Sequence, residues 1–159
     1  MADGSRHVKR NIPFLVAILV LAGFFFVRGR VSPAETPPLF QSGLTLGPAM
    51  TRSKESGSLV LAMATADWCG PCQVLKKGAL RDPRVEGWVK DHALAVYVDI
   101  DKSPGDAAVL RAIQVPTLVL FRGDSELGRV SGVVDADDLL SWFKSASSST
   151  GDPAVSPPS

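Results

Sequence analysis

The hydrophobic pattern of the chain begins with a long apolar run near the N-terminus. Residues 12–27 (IPFLVAILVLAGFFFV) form sixteen positions without a charge, apolar on every face of a helix. At 1.5 Å per residue such a helix covers roughly 24 Å, against a hydrocarbon core of about 30 Å. Arg28 and Arg30 follow the run and can extend the span by reaching the interface. We therefore predict one transmembrane anchor at 12–27, preceded by a basic tail at 1–11.

A cleaved signal peptide is the alternative to an anchor at this run. A basic start and an apolar middle precede small residues at Ser32-Pro33-Ala34, where cleavage would occur. Charges directly after the apolar part are unusual in a signal peptide and favour the anchor. A buried core helix is a third possibility, which the uniform apolar character disfavours. The small excess of basic residues before the run favours an N-terminus in the cytoplasm and the following domain on the periplasmic side.

The rest of the pattern predicts alternating strands and helices. A continuous apolar run of strand length occurs at 59–64, and further strands are predicted at 93–100, 117–121 and 127–131. Helices are predicted at 49–55, at 72–80, from Asp82-Pro83, at 106–112 and from Asp135. Strands and helices alternate first, then two adjacent strands form a hairpin, and a helix follows. This order predicts an α/β fold with a central mixed sheet flanked by helices on both faces.

Proline, glycine and serine mark the limits of this domain. Residues 28–43 contain several prolines and little periodicity, so we predict a linker there. Residues 145–159 are rich in serine and proline, a composition typical of a disordered tail. The predicted domain therefore spans 44–144, and the sequence contains no visible internal repeat.

Composition narrows the class of protein. The formal net charge is +1, which gives no basic surface for nucleic acid, so no nucleic-acid partner is expected. The chain has two cysteines, too few for a small fold held together by disulfides. Two cysteines separated by two residues, Cys69 and Cys72, indicate redox chemistry or half of a metal site.

The position of this cysteine pair favours redox chemistry. The pair follows a predicted buried strand and begins a predicted helix, whose N-terminus stabilises a thiolate through its dipole and free N–H groups. We expect Cys69 to be exposed and to attack a substrate disulfide. Cys72, one turn further on and more buried, would then resolve the mixed disulfide. Pro71 suits the first turn, where its missing N–H has no helical partner.

Three further roles for the cysteine pair remain open from the residues alone. A zinc site needs about four ligands, but there is no second cysteine pair, and His92 is separated from the motif by a helix. A structural disulfide across a two-residue loop would add little stability. A former redox domain kept as a binding module would not need both cysteines. We predict no metal and no cofactor.

The residues around the pair resemble a known family. The segment Trp68-Cys69-Gly70-Pro71-Cys72 is identical to the thioredoxin active-site motif. Downstream landmarks resemble those of thioredoxins in the same order: Asp99-Ile100-Asp101, Pro104-Gly105, Val115-Pro116-Thr117, Phe121 and Gly132. The segments 66–69, 82–85 and 132–136 resemble more closely a branch of membrane-tethered thioredoxin-like proteins that includes the periplasmic C-terminal domain of the disulfide reductase DsbD.

The resemblance implies a thioredoxin fold, a redox-active Cys69–Cys72 disulfide and protein disulfides as substrates. It also implies a cis peptide bond between Val115 and Pro116, beside the cysteine pair. The residues that it implies for substrate binding are Trp68, Val115, Pro116 and Gly132. The residues that it implies for support of the active site are Trp68, Gly70, Pro71, Asp67 and Pro116.

One departure from the family concerns proton transfer. Thioredoxins carry a buried aspartate six residues before the first cysteine, where this chain has Met63. The lysine that usually pairs with that aspartate corresponds to Tyr97. We hypothesise that Asp67 or a bound water replaces the aspartate in the deprotonation of Cys72.

These observations predict a membrane-anchored thiol–disulfide oxidoreductase. The glycine and proline between the cysteines favour a protein-disulfide reductase, which would receive electrons from a membrane donor. A disulfide oxidase or isomerase is the enzymatic alternative. An adaptor that binds partners without turnover is the alternative from another class.

Overall fold

The structure, a computed structural model, describes residues 16–21, 23, 33–40 and 43–148. The chain divides into two units, residues 1–32 and 33–159. In the first unit, residues 16–21 and 23 are helical, while the basic tail and the rest of the predicted anchor lie outside the described residues. Within the described residues, no helix has the length and apolar character needed to cross a membrane. The anchor at 12–27 therefore stays a prediction.

The second unit contains five helices and four strands in its described part. In chain order they are α1 (Leu46–Ser56), β1 (Leu59–Thr65), α2 (Gly70–Lys77), a 3-10 turn (Ala79–Arg81), α3 (Pro83–His92), β2 (Ala93–Asp99), α4 (Pro104–Val109), β3 (Thr117–Arg122), β4 (Ser125–Ser131) and α5 (Ala136–Ser148). The predicted order of strands and helices is confirmed.

The four strands form one mixed sheet in the order β2-β1-β3-β4. Strand β1 pairs in parallel with β2 and antiparallel with β3, and β3 pairs antiparallel with β4. Every residue of β1 is buried, because this strand has a neighbour on each side and helices above and below. The predicted central mixed sheet is confirmed.

The sheet separates two apolar layers, since successive side chains of a strand point to opposite faces. Leu61 and Met63 of β1 pack in a core that also contains buried residues of α2, α3 and α5. Val60 and Ala62 pack on the other face, in a core that includes Leu46 of α1. The helices therefore cover both faces of the sheet, as the order of elements predicted.

The strand register brings four chain segments to one edge of the sheet. Thr65, the last residue of β1, pairs with Asp99, the last residue of β2. Thr117, the first residue of β3, pairs with Ala64 and also with Ser131 at the end of β4. The loops that precede or follow these residues therefore meet at this edge, which we call the site edge.

Two helices differ from their predicted limits. The helix predicted at 72–80 begins at Gly70 and ends at Lys77, because Gly78 leaves the helical conformation and its N–H bonds to the carbonyl of Val74. A separate 3-10 turn follows. Helix α4 lies at Pro104–Val109 rather than 106–112, since Pro104 begins it and Arg111 has a positive φ of 49°.

The two segments predicted to flank the domain are in part folded onto it. Phe40, inside the predicted linker at 28–43, is 5% exposed and packs in the same core as Met63. The backbone N–H of Ala34 donates to Gln73 on α2. Helix α5 continues to Ser148, four residues beyond the predicted end of the domain at 144, and residues 149–159 lie outside the described residues.

Candidate active site

The cysteine pair lies at the site edge, where β1 leads into α2. Cys69 is the N-cap of α2, with extended backbone angles (φ −79°, ψ 102°), and its sulfur accepts a hydrogen bond from the N–H of Cys72 at 3.1 Å. Gly70 and Pro71 form the exposed first turn. Since the first N–H groups of a helix have no helical partner, Pro71 removes no hydrogen bond there. The predicted strand, motif and helix N-terminus are therefore present.

Cys69 and Cys72 are joined by a disulfide, with Cα atoms 5.2 Å apart. Cys72 is fully buried and Cys69 is 3% exposed. The expectation of an exposed Cys69 is therefore wrong for the disulfide form, because its sulfur is bonded to Cys72 and engaged by the N–H of that residue. Attack on a partner would follow reduction, which releases the sulfur from Cys72.

Trp68 is the most exposed aromatic side chain next to the pair, at 69%. Its indole Nε1 donates to Oδ2 of Asp101 at 2.8 Å. Asp101 follows β2, so this bond ties the loop after β2 to the motif. The bond fixes an open apolar face directly beside Cys69, where an incoming polypeptide would meet it.

Asp67 and Asp99 share one lysine at the site edge. Nζ of Lys102 lies 2.8 Å from Oδ2 of Asp67 and 2.7 Å from Oδ2 of Asp99. Hydrogen bonds to Asp67 and Asp99 raise the pKa of Lys102. Burial raises the pKa of Asp99, but the hydrogen bonds from Lys102 and from the N–H of Asp101 outweigh it, so this pKa lies below its ordinary value.

The placement of Asp67 bears on its hypothesised part in proton transfer. Its side chain is 47% exposed and is paired with Lys102. Its backbone carbonyl accepts a hydrogen bond from Nε2 of Gln73 at 3.2 Å. The structure thus assigns Asp67 a contact with the loop after β2, and no described contact joins its carboxylate to Cys72.

The Val115–Pro116 peptide bond is cis, as the resemblance implied. Pro116 directly precedes β3, so it lies at the site edge, and it is buried while Val115 is partly buried. The carbonyl of Pro116 accepts a hydrogen bond from the N–H of Gly132 at 2.8 Å. Gly132 has a φ of 91°, a conformation that favours glycine. The implied substrate-contacting residues therefore meet at one edge.

Met63 occupies the position of the missing aspartate and is fully buried. It pairs in register with Tyr97 on β2. The hydroxyl of Tyr97 accepts a hydrogen bond from Nζ of Lys76 at 3.0 Å, and Lys76 is itself fully buried on α2. Lys76 was not predicted from the sequence, although its position four residues after Cys72 places both on one helix face.

Two further polar groups near the motif were also missed. Gln73 is 4% exposed, and its amide joins the carbonyl of Asp67 to the N–H of Ala34. Thr65, the last residue of β1, is fully buried, and its hydroxyl has no hydrogen-bond partner among the described residues. Thr65 lies on the same strand face as Met63, two residues on, so its hydroxyl is available on the side of the sheet that α2 covers.

The residues considered for a metal site do not come together. His92 ends α3, where its ring stacks on Trp88 with ring centroids 4.8 Å apart. In the described ranges, no three His, Cys, Asp or Glu residues are grouped as metal ligands would be. The cysteine pair is instead engaged as a disulfide.

Comparison with known proteins identifies the family. A family profile for a thioredoxin-like domain matches residues 46–147, from the start of α1 almost to the end of α5. The chain belongs to the thioredoxin-like family. It is 36% identical over 87 residues to a thioredoxin of Chlamydia trachomatis serovar D, covering 54% of this chain and 79% of that protein. It is 35% identical over 100 residues to thioredoxin H2-1 of Oryza sativa subsp. japonica, covering 61% and 69%.

Solved structures share the fold. A thioredoxin from Thermus thermophilus superposes with a TM-score of 0.58 at 21% identity, covering 65% of this chain and 85% of that one. A DsbH oxidoreductase superposes with a TM-score of 0.57 at 19% identity, covering 74% and 88%. With its cysteine pair, this thioredoxin-like chain is a thiol–disulfide oxidoreductase with a CxxC redox site. The likeness to the DsbD domain and to membrane-tethered members stays a prediction.

Proposed function

We propose that the protein reduces disulfide bonds in other proteins by dithiol–disulfide exchange. Cys69 is the attacking residue and Cys72 the resolving residue. The observation that carries this proposal is the disulfide at the start of α2, with Cys69 as N-cap and the deeper Cys72 fully buried. A helix N-terminus stabilises negative charge on the N-cap sulfur, as the attacking thiolate requires.

The exchange proceeds in two steps. The Cys69 thiolate attacks one sulfur of a substrate disulfide, so that bond breaks and the other substrate sulfur leaves as a thiolate that takes up a proton. Cys72 then loses its proton, and its sulfur attacks the sulfur of Cys69. The substrate leaves as a dithiol with two more electrons, and the Cys69–Cys72 disulfide forms again. A dithiol reductant returns the two electrons to the protein.

The surroundings of Cys69 suit a polypeptide substrate. The exposed indole of Trp68 directly precedes Cys69 in sequence. The cis peptide bond before Pro116 lies at the site edge, as the cysteine pair does. Val133 follows Gly132 and is 51% exposed, which adds apolar surface beyond the loop. Exposed apolar side chains beside the reacting cysteine provide contacts for the side chains of an extended peptide.

Turnover tests this proposal with an accessible protein disulfide. The full chain should accelerate the reduction of insulin disulfides by dithiothreitol, and Cys69→Ser and Cys72→Ser should each abolish the acceleration. Lys77→Met changes an exposed residue of the same helix and should keep the wild-type rate. Wild-type protein that gives no more than the uncatalysed rate would support an adaptor without turnover.

The direction of electron flow has its own measurement. The reduction potential of the Cys69–Cys72 couple is obtained by equilibration of the full chain with defined thiol buffers. A value between about −270 and −200 mV, in the range of thioredoxins and glutaredoxins, supports the reductase. A value between about −180 and −120 mV, in the range of disulfide isomerases and oxidases, contradicts it.

We also propose that residues 12–27 anchor the protein, with the redox domain on the periplasmic side and a membrane protein as electron donor. The support is the uncharged run and the arginines that follow it. Fractionation of cells that produce the full chain should leave it in the membrane at its full mass. A shortened, soluble product would show a cleaved signal peptide instead.

A further inference from the structure

Lys76 is a buried lysine on the active-site helix. It is fully buried, and among the described residues its Nζ has one hydrogen bond, to the hydroxyl of Tyr97 at 3.0 Å. The same Nζ lies 5.5 Å from the centre of the Tyr97 ring. The ion pairs of the described residues do not include Lys76, so no carboxylate there balances its charge.

A buried ammonium without an anion is costly for a folded protein. Transfer of a charge out of water is unfavourable unless a partner of opposite charge accompanies it. A neutral hydroxyl and an aromatic ring offset only part of this cost. The ammonium of Lys76 therefore stabilises a negative charge that forms on a nearby group.

Cys72, fully buried on the same helix, is a source of such a charge. Residues four apart on a helix lie about 5–6 Å from each other at Cβ, and long helical side chains lean toward the N-terminus of the helix. The side chain of Lys76 therefore leans toward the turn that carries Cys72. Both residues are fully buried, and Met63 and Tyr97 belong to the same apolar core as Cys72.

The segment 33–40 packs against the neighbours of Lys76. The ring of Phe40 packs edge-on against Tyr97 with centroids 5.7 Å apart, and Ala34 bonds to Gln73 on the same helix. Glu35 lies 3.7 Å from Arg81, just beyond the helix. Because Lys76 is itself fully buried, its charge is poorly screened by water and acts strongly on a nearby sulfur.

We propose that Lys76, held by Tyr97, is a positioning residue that stabilises negative charge on the sulfur of Cys72 when the disulfide is open. This inference rests on the proposed function. A dithiol reductant gives up two electrons, its two sulfurs form a disulfide and its protons pass to water. The Cys69–Cys72 bond breaks, and the ammonium of Lys76 offsets the charge left on Cys72. The same charge forms again when Cys72 loses its proton to attack Cys69. Lys76 thus compensates for the aspartate that Met63 replaces. It does so by stabilising the charge on Cys72, whereas an aspartate would accept the proton.

The consequence is a shift in redox equilibrium. Lys76 stabilises the reduced form relative to the disulfide form, and stabilisation of the reduced form makes a couple more oxidising. Removal of the charge should therefore make the pair harder to reduce. In the disulfide form, where no anion is present, the same removal should relieve an unpaired charge.

The test compares Lys76→Met with Lys77→Met in the full chain. Both remove one positive charge from α2, but Lys77 is exposed. In equilibrium with dithiothreitol, the equilibrium constant for reduction of the Cys69–Cys72 disulfide should be about tenfold lower in Lys76→Met than in wild type. This corresponds to a reduction potential about 30 mV more negative. Lys77→Met should match wild type. A wild-type potential in Lys76→Met would overturn the proposal.

A second measurement separates this role from a purely structural one. Urea unfolding of the oxidised and the reduced protein should show that Lys76→Met keeps or raises stability when oxidised and lowers it when reduced. An equal change in both forms would overturn the proposal. If Lys76→Met does not fold, Lys76→Gln serves in both experiments. Insulin reduction by the wild-type protein distinguishes the two proposals. If wild type does not reduce insulin, the proposed function is refuted. If wild type reduces insulin but the Lys76 variants keep the wild-type potential, only the role of Lys76 is refuted.

Discussion

Asp99 is expected to hold the loop after β2 in contact with the motif. Its side chain is 7% exposed, and it accepts hydrogen bonds from Nζ of Lys102 at 2.7 Å and from the N–H of Asp101 at 3.1 Å. Lys102 also reaches Asp67, and Asp101 also binds the indole of Trp68. Asp99→Asn keeps the size of the side chain and one acceptor oxygen but removes the charge.

The size of the effect follows from these contacts. A hydrogen bond to a charged group contributes about 1.5–3 kcal/mol. The side chain of Lys102 is 66% exposed, so solvent screens part of its attraction, and the bond from Asp101 can persist to the amide oxygen. We therefore expect Asp99→Asn to lower the free energy of unfolding by about 1–2 kcal/mol at pH 7. Urea unfolding followed by circular dichroism measures this.

The pH dependence of stability tests whether the charge of Asp99 is the cause of this effect. The pKa of Asp99 in the folded protein lies below its ordinary value, which is about 3.9 in an unfolded chain. A carboxylate of this kind stabilises the fold fully above that value, and the stabilisation is lost as pH falls through the folded pKa. The difference between wild type and Asp99→Asn should therefore be constant from about pH 7 to 5 and should shrink below about pH 4.

A matched control is Asp124→Asn. Asp124 pairs with Lys54 at 2.7 Å, but both side chains are more than half exposed, so this change should leave stability nearly unaltered. Wild-type stability of Asp99→Asn at pH 7 would refute the role of Asp99. A loss of stability at pH 3 equal to the loss at pH 7 would also refute it, because the charge would then not be the cause.

Three other changes have defined outcomes. Phe143→Ala, at a fully buried ring stacked 4.3 Å from Trp88, should lower the free energy of unfolding by about 3–5 kcal/mol in urea. Gly132→Ala meets no atom within 4 Å but has a φ of 91°, so denaturation should show a loss of about 1–2 kcal/mol from strain alone. Asp101→Ala frees the indole of Trp68, and steady-state kinetics should show a higher KM for insulin with an unchanged reduction potential.

The fold was largely predictable because its strands carry strong local signals. The run at 59–64 is apolar throughout, as a strand requires when helices cover both faces, and it became β1 with every residue buried. Asp82 and Pro83 began α3 as predicted, with the Asp82 side chain accepting from the N–H of Arg84. The helix after the motif was harder to delimit, because its end depends on the conformation of Gly78.

The chemistry of the pair was predictable in outline and incomplete in detail. The CxxC motif after a strand identifies the redox site, but burial of Lys76 depends on long-range contacts. Lysine counts as polar in any helical pattern, so only the structure shows that Lys76 is buried and bonded to Tyr97. The packing of segment 33–40 was missed for a similar reason. Its prolines are typical of a linker, whereas the burial of Phe40 depends on long-range contacts.

Trapping of the mixed disulfide tests the central claim most directly. The reduced full chain carrying Cys72→Ser is mixed with oxidised insulin, and non-reducing gel electrophoresis with mass spectrometry identifies the products. We predict a covalent complex through Cys69 in Cys72→Ser and little or none in Cys69→Ser, because the buried Cys72 cannot reach a substrate. Equal trapping by both variants, or a complex formed only through Cys72, would contradict this prediction.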